Sequence, residues 1–122
     1  MSRVLKENKV TIIELGLSYD SLDQQKLEDI GGILLGEARH AEPPLLVVDF
    51  TRTKYVGPGF LRLLVHAQQW VKERGGRLCV CGPTDFSREV LDSTRLSEVF
   101  EIFSSRAEAI TSLLGGEVSS PN

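Results

Sequence analysis

Residues 45–81 read LLVVDFTRTKYVGPGFLRLLVHAQQWVKERGGRLCVC, and this stretch decides the fold class. Leu45–Phe50 is an apolar run with the length and β-branched content of a strand that is buried on both faces. Pro58–Arg74 has helical periodicity and ends at the glycine pair Gly75-Gly76, and Leu78–Cys81 is a second buried strand. A strand, a helix and a strand in this order predict a right-handed parallel crossover.

The sequence on both sides extends this unit. Val4–Glu7 and Val10–Leu15 are short β-type runs on either side of Asn8-Lys9, and they predict a hairpin. A helix follows, which opens with a capping box at Ser21–Gln24 and runs to about His40. Three further elements are predicted after residue 81: a short helix beginning at Gly82–Asp85, a strand at Val99–Ile102, and a last helix that opens with a capping box at Ser105–Glu108.

The predicted order is β-β-α-β-α-β-α-β-α, which indicates one α/β domain. We expect a mixed sheet with an N-terminal antiparallel hairpin followed by parallel βαβ units, and helices packed mainly on one face. The domain is predicted to occupy residues 1–116, and residues 117–122 are predicted to form a flexible C-terminal tail after the Gly115-Gly116 stop.

Composition excludes several function classes. The chain has 122 residues, 41% of them hydrophobic and 25% charged, with a net charge of −3 and no basic run of the kind that binds nucleic acid. It has neither a secretory hydrophobic region nor an apolar stretch approaching the roughly 20 residues that span a bilayer. We therefore expect a cytoplasmic protein with neither a nucleic-acid nor a membrane partner.

The residues that carry catalysis or bind metals form no recognisable pattern. Cys79 and Cys81 are predicted to lie on one face of a strand as buried free thiols. His40 and His66 fall at a helix end and on a polar helix face, and these four residues do not have the spacing of a zinc site. No phosphate loop or dinucleotide fingerprint is present. We predict no enzyme activity, no cofactor and no metal.

The order and spacing of several motifs carry a family resemblance that covers about Val4 to Leu114. They are a strand, glycine and acidic-residue pattern, a buried strand that ends in Asp-x-hydroxyl, a helix-ending glycine pair, and an apolar closing pattern. The segments are Ile12–Gly16 with Tyr19-Asp20, Leu46–Thr51, Arg74–Leu78, and Val90-Leu91 through Leu96, Phe100, Phe103 and Ala107–Ile110. Together they resemble the STAS domain of bacterial anti-sigma factor antagonists and stressosome proteins.

The chain departs from that family at the loop before the second helix. Family members have Asp-Ser-Ser-Gly or Asp-Ser-Ala-Gly there, and a partner kinase phosphorylates the first serine. A gapless alignment places Val56–Leu61 on this stretch, with Gly57 in place of the aspartate and Pro58 in place of the serine. Pro58 has no hydroxyl and suits the first position of a helix. The resemblance therefore implies a variant without the usual phospho-acceptor.

The same loop and the second helix are the predicted docking surface, because the apolar arc of this helix spans roughly 220° at 100° per residue. One stripe contains Leu61, Leu64, Val65 and Val71, and flanking helices could cover the second stripe instead of a partner. The alternative for the Gly-Pro-Gly loop is a tight turn that only caps the helix. The predicted docking residues are Tyr55, Val56, Gly57, Pro58, Gly59 and Phe60 of the loop, Leu63, Ala67 and Trp70 of the second stripe, and Asp20.

Three functions are compatible with the resemblance. The first is a regulatory module that binds an anti-sigma factor or a related ATPase-type kinase without being phosphorylated at Pro58. The second is a self-associating, homo-oligomeric scaffold subunit, and the third is a carrier of a small molecule or lipid. Thr51, Thr53 and Thr94 are the hydroxyl residues that could replace the missing acceptor, although each is more typical of a solvated or capping group.

Overall fold

The computed structural model describes residues 2–20 and 22–115. The strands are β1 (Arg3–Glu7), β2 (Val10–Glu14), β3 (Ser18–Tyr19), β4 (Leu45–Asp49), β5 (Tyr55–Val56), β6 (Arg77–Cys81) and β7 (Glu101–Phe103). The helices are α1 (Gln24–His40), α2 (Pro58–Glu73), α3 (Asp85–Ser93) and α4 (Arg106–Leu113), and a 3-10 turn occupies Leu96–Glu98. The predicted tail 117–122 and domain end at residue 116 lie outside the described residues.

Five strands form the main sheet in the order β1-β2-β4-β6-β7. β1 pairs antiparallel with β2, whereas the other three pairings are parallel. The predicted hairpin followed by parallel βαβ units is therefore confirmed. The carboxyl ends of β2, β4, β6 and β7 all meet at one side of the sheet, which we call the carboxyl edge.

Helices cover the two faces of the sheet unequally, as predicted. Alternate side chains of each strand point to opposite faces, so Val48 belongs to one core cluster and Val47 to the other. The larger cluster packs against α1, α2 and α3, and the smaller one packs against α4 alone. The α4 side of the smaller cluster consists of Ala109, Ile110 and Leu113.

Both cysteines face α4, on the same side of β6. Cys79 and Cys81 are buried and free, as predicted. Burial disfavours the thiolate and raises the pKa of each thiol to about 12. They are apolar packing groups in this fold.

Three local features differ from the prediction. β3 and β5 form a separate two-stranded parallel sheet, which no pattern revealed because each strand has two residues. β7 begins at Glu101 instead of Val99, because the chain first makes the 3-10 turn. α1 begins at Gln24, and its N-cap is Asp23, whose carboxylate accepts a hydrogen bond from the Lys26 amide at 3.1 Å. Ser21, the predicted cap, lies outside the described residues.

Candidate functional site

The loop between β4 and α2 crosses the carboxyl edge, and backbone pairing with the chain before α1 fixes its path. The Lys54 amide donates to the Leu17 carbonyl at 2.7 Å, and the Gly57 amide donates to the Tyr19 carbonyl at 2.8 Å. Gly57 is the N-cap of α2 and Pro58 is its first residue. Pro58 is exposed, so the structure places it as predicted, at the surface where the long helix begins.

Thr53 holds this loop to the start of α3. Its hydroxyl donates to the Gly16 carbonyl at 2.8 Å, and its own carbonyl accepts from the hydroxyls of Thr84 at 3.2 Å and Ser87 at 3.5 Å. Thr53 is fully buried. The loop is thus connected to two other segments of the edge, and Thr53 is corrected from an accessible hydroxyl to a buried structural one.

The other two threonines remain at the surface. The Thr51 hydroxyl donates to the Asp49 carboxylate at 2.5 Å. Thr94 is the C-cap of α3, and its hydroxyl donates to the Val90 carbonyl at 2.8 Å. Both hydroxyls have local backbone or carboxylate partners, as capping residues do.

An ion cluster joins α4 to the carboxyl edge below the loop. The Arg106 guanidinium donates to the Asp49 carboxylate at 2.8 and 3.1 Å and also pairs with Glu14, whose other oxygen is 2.8 Å from Arg3. The hydrogen bond from Arg106 is the main reason that the pKa of Glu14 is lowered. Burial works to raise the pKa of Asp49, but hydrogen bonds from Thr51 and Arg106 outweigh it and lower that pKa. Both carboxylates therefore stay ionised and fasten the last helix to the sheet.

Sequence reasoning missed this cluster. Arg106 lies 57 residues from Asp49 and 92 from Glu14, so no local spacing connects them. The single sequence carries no signal that pairs them. The topology brings them together, because α4 starts immediately after β7 at the same edge.

One flank of α2, which we call the closed flank, is covered by α1. Phe60 and Ala67 have no exposed surface. Leu63 packs so tightly against Gly31 that a Cβ at that glycine would lie 3.2 Å from Leu63 Cδ2. The Arg39 guanidinium covers the Trp70 ring at 4.7 Å.

These contacts correct part of the predicted docking surface. The stripe of Phe60, Leu63, Ala67 and Trp70 was expected to offer a partner an apolar face. The alternative prediction, that a flanking helix covers this stripe, describes part of it: Phe60 and Ala67 are buried, whereas Leu63 and Trp70 are half-buried beside α1. Val56 and Gly57 are also buried, so they shape the loop from below. Of the predicted docking residues in the loop, Tyr55 and Pro58 are exposed and Gly59 is half-exposed. Asp20, the residue that follows β3, is exposed as well.

The opposite flank of α2 is open and lines a groove. Residues of α2 in this groove recur at i, i+3, i+4, i+7 and i+8, which is one face of a helix. The facing wall is formed by Thr94 and Leu96, from the connection between α3 and β7. The groove has a volume of about 340 Å³, and its α2 residues are Pro58, Leu61, Arg62, Val65 and His66. We call it the α2 groove.

A hydrogen bond joins the two walls of the α2 groove just past its end, between Gln68 of α2 and Val99 after the 3-10 turn. The Gln68 side-chain amide donates to the Val99 carbonyl at 2.8 Å, and Gln68 is almost fully buried. The 3-10 turn is therefore attached to α2, and the wall that faces the helix is fixed in place. A fixed groove loses less conformational entropy when it binds a partner than a mobile one.

An aromatic pair lies on the carboxyl edge, formed by Tyr55, three residues before Pro58, and Phe86 of α3. The rings of Tyr55 and Phe86 stack with centroids 5.6 Å apart, yet the two residues are 39% and 44% exposed. Partly exposed aromatic residues are frequent anchors at protein interfaces. Phe86 was not among the predicted site residues, because a lone aromatic at the start of a short helix does not reveal its exposure.

Within residues 2–20 and 22–115, no cluster of three His, Cys, Asp or Glu side chains could hold a metal ion. In the same ranges no helix has both the length and the apolar character that a membrane span needs.

Comparison with solved structures finds close matches in fold. An anti-sigma-factor antagonist (STAS) domain protein from Planctomyces limnophilus is 26% identical, with a TM-score of 0.81 over 93% of this chain and 97% of that one. The phosphorylated form of the Bacillus cell fate determinant SpoIIAA is 15% identical, with a TM-score of 0.68 over 90% and 96%. A sulfate transporter family protein from Wolinella succinogenes is 15% identical, with a TM-score of 0.72 over 97% and 93%.

The sequence comparisons give two results. The search of curated proteins finds no match. The family model of the STAS domain matches residues 5–109, which is most of the chain. The mixed sheet, the helix order and this match agree, and the chain belongs to the STAS domain family.

Proposed function

We propose that this chain is a regulatory protein-interaction module of the anti-sigma factor antagonist type. It binds an anti-sigma factor or a related ATPase-type kinase through the carboxyl edge, and it acts in the cytoplasm in the control of transcription. It carries out no catalysis itself. The observation that carries this proposal is the exposed Pro58 at the first position of α2, held on a loop that hydrogen bonds fix to the chain before α1 and to the start of α3.

Pro58 removes charge control from this position. A phosphate at the start of a helix is stabilised by free amides and by the helix dipole, and its charge alters how a partner binds there. Proline has no hydroxyl to which a kinase could transfer a phosphate, so no negative charge can be added at this position. The module stays in its binding-competent form, and its activity follows the amounts of the two proteins instead of a phosphorylation cycle.

The rest of the edge supports a docking role. The hydrogen bonds of Thr53 and Gly57 hold the loop in one conformation before any partner arrives. Tyr55 and Phe86 supply an aromatic anchor on the same edge. An ordered loop with an aromatic anchor beside it is the arrangement that a pre-organised interface needs.

The test uses the full chain, an anti-sigma kinase that binds it and ATP. We expect the wild type to bind the kinase and to gain no phosphate in intact-mass measurements. The Pro58→Ser variant restores the hydroxyl and should gain one phosphate, whose position peptide mapping identifies.

Two controls make the result interpretable. Tyr55→Ala should weaken kinase binding in calorimetry, whereas Lys72→Glu, far along α2, should leave it unchanged. Phosphate on Thr51 or Thr94 of the wild type would contradict the proposal that phosphorylation does not control binding at the carboxyl edge. Failure of every anti-sigma kinase tested to bind the wild type would contradict the function itself.

A further inference from the structure

We propose that the α2 groove receives an acidic amphipathic helix of the partner. This inference rests on the proposed function and names the chemistry of the partner segment. A groove between two fixed walls, with apolar side chains along one helix face, is the form of site that binds a helix by its apolar side.

The lining sets the size of the bound segment. Its α2 residues run from Pro58 to His66, a length of roughly 13 Å at 1.5 Å per residue. Val65 and Leu96 are half-buried and supply most of the apolar contact, and Leu61, which is 7% exposed, contributes only its small exposed part. A partner helix of two to three turns, with apolar side chains at i, i+3 or i+4 and i+7, matches this length.

The charges around the groove favour a partner segment that carries negative charge. No carboxylate is among the residues that line it, and Arg62 is part of its wall. Arg95 lies in the chain between Thr94 and Leu96, which form the other wall. Glu98 is the acidic residue of the 3-10 turn, and Asp92 of α3 pairs with Arg88 at 3.5 Å.

The arginines near the groove differ from most others in the molecule. Five arginines form ion pairs with carboxylates, namely Arg3, Arg74, Arg77, Arg88 and Arg106. In the described part of the chain, Arg62 and Arg95 form no such pair, and neither do Arg52 and Lys54 on the loop that leads into α2. Other cations among the described residues, such as Lys9 and Lys72, also lack an ion pair, so Arg62 is distinguished by its place in the groove wall and not by its missing partner. Complementary carboxylates on the partner would steer it to this end of α2.

The experiment titrates the ¹⁵N-labelled full chain with two synthetic peptides. Each is about 18 residues long, or roughly five helical turns, and both have the same leucine stripe. They differ only in the residues beside the stripe, which are glutamates in one peptide and lysines in the other. We expect the glutamate peptide to shift the amide resonances of residues 59–66 and 94–98 in a saturable way.

The affinities should differ by roughly tenfold or more, because exchanging the sign turns attraction to Arg62 and Arg95 into repulsion. The difference should shrink at about 1 M salt, where the Debye length falls to about 3 Å. Arg62→Glu should reduce or reverse the preference. Lys72→Glu makes the same change of charge on α2 outside the groove and should leave the preference intact.

Three results would overturn the inference: equal affinity for the two peptides, preference for the lysine peptide, or shifts confined to residues outside the groove. The kinase measurement separates this failure from failure of the proposed function. If the kinase binds wild type and Arg62→Glu equally but Tyr55→Ala weakly, the function stands and the acidic helix is wrong. If no anti-sigma kinase binds and the glutamate peptide still occupies the groove, the function is wrong and the groove assignment stands.

Discussion

The two flanks of α2 have similar apolar sequences but opposite surroundings. On the closed flank, Leu63 packs against Gly31 of α1, and Arg39 covers Trp70. On the open flank, Leu61 and Val65 face a groove whose far wall is the connection between α3 and β7. The difference comes from the neighbours: a 17-residue helix lies along one flank, whereas a three-residue turn lies along the other. The width of an apolar arc therefore indicates how much contact a helix needs, and its neighbours decide which part stays available.

The strongest way to break the closed flank is to remove its largest buried side chain. Phe60 has no exposed surface, stacks on Tyr19 at 4.9 Å and meets Phe50 edge-on at 6.1 Å. Phe60→Ala should lower the free energy of unfolding by about 3–5 kcal/mol. Urea unfolding followed by circular dichroism measures this. A loss below about 1 kcal/mol would contradict the description of Phe60 as a core residue.

The features that could be predicted from the sequence are those set by residues close together in the chain. Long periodic segments such as Pro58–Arg74 gave the helix, and the apolar runs at residues 45–50 and 78–81 gave the parallel strands. The position of Pro58 at the helix start was also predictable, because proline has a strong preference for that site. These features depend on residues that are close together in the chain.

Features that depend on distant residues were not predictable. The ring of Phe60 stacks on Tyr19, which precedes it by 41 positions, and the pairing of β3 with β5 joins segments about 37 residues apart. The Arg106 cluster likewise joins residues 57 and 92 positions apart. A single sequence indicates that a stripe is apolar but not which neighbour lies on it, so the burial of Phe60 and Ala67 could not be predicted.

We expect acid to weaken the fold through the ion cluster of Arg106, Asp49 and Glu14, which lies outside both flanks of α2. The pKa values of Glu14 and Asp49 are lowered in the folded chain, against about 4.3 and 3.9 for the unfolded residues. Groups with depressed pKa values contribute stability that is fully present above the unfolded values and is lost as the pH falls through the folded values. Unfolding free energy should therefore fall as the pH is lowered below about 5.

Arg106→Gln tests the source of this acid sensitivity. It removes the cation that both carboxylates share, so it should cost about 2 kcal/mol at neutral pH and flatten the dependence on acid. Urea midpoints at a series of pH values measure both effects. Arg88→Gln, which removes an exposed ion pair on α3, is the matched control and should leave the acid dependence unchanged. An equal acid dependence in Arg106→Gln and wild type would contradict the assignment.

A substitution on the open flank should affect binding more than stability. Val65 is only partly buried, so Val65→Ala should lower the unfolding free energy by about 1 kcal/mol or less. The same change removes an apolar contact from the α2 groove and should weaken the glutamate peptide measurably in the NMR titration. Leu64→Ala, on the buried face next to it, should do the reverse, with a large loss of stability. If both variants lost stability equally, Val65 would be a core residue like Leu64 and not part of an open flank.

The smallest expected effect compares two adjacent glycines of α1. At Gly32 nothing lies within 4 Å of an added Cβ, so Gly32→Ala should stabilise the fold by about 0.5–1 kcal/mol through helix propensity. At Gly31 the added methyl would lie 3.2 and 3.3 Å from the two terminal carbons of Leu63, which must then move by a few tenths of an ångström. Gly31→Ala should therefore be less stable than Gly32→Ala, although the intrinsic gain of the two substitutions is the same. The urea midpoints of the two variants give the difference directly, and in a Leu63→Ala background the two glycine substitutions should have the same midpoint. Equal midpoints for the single variants would mean that α1 and α2 are not in close contact at Gly31, and the closed flank would then lose its tightest point.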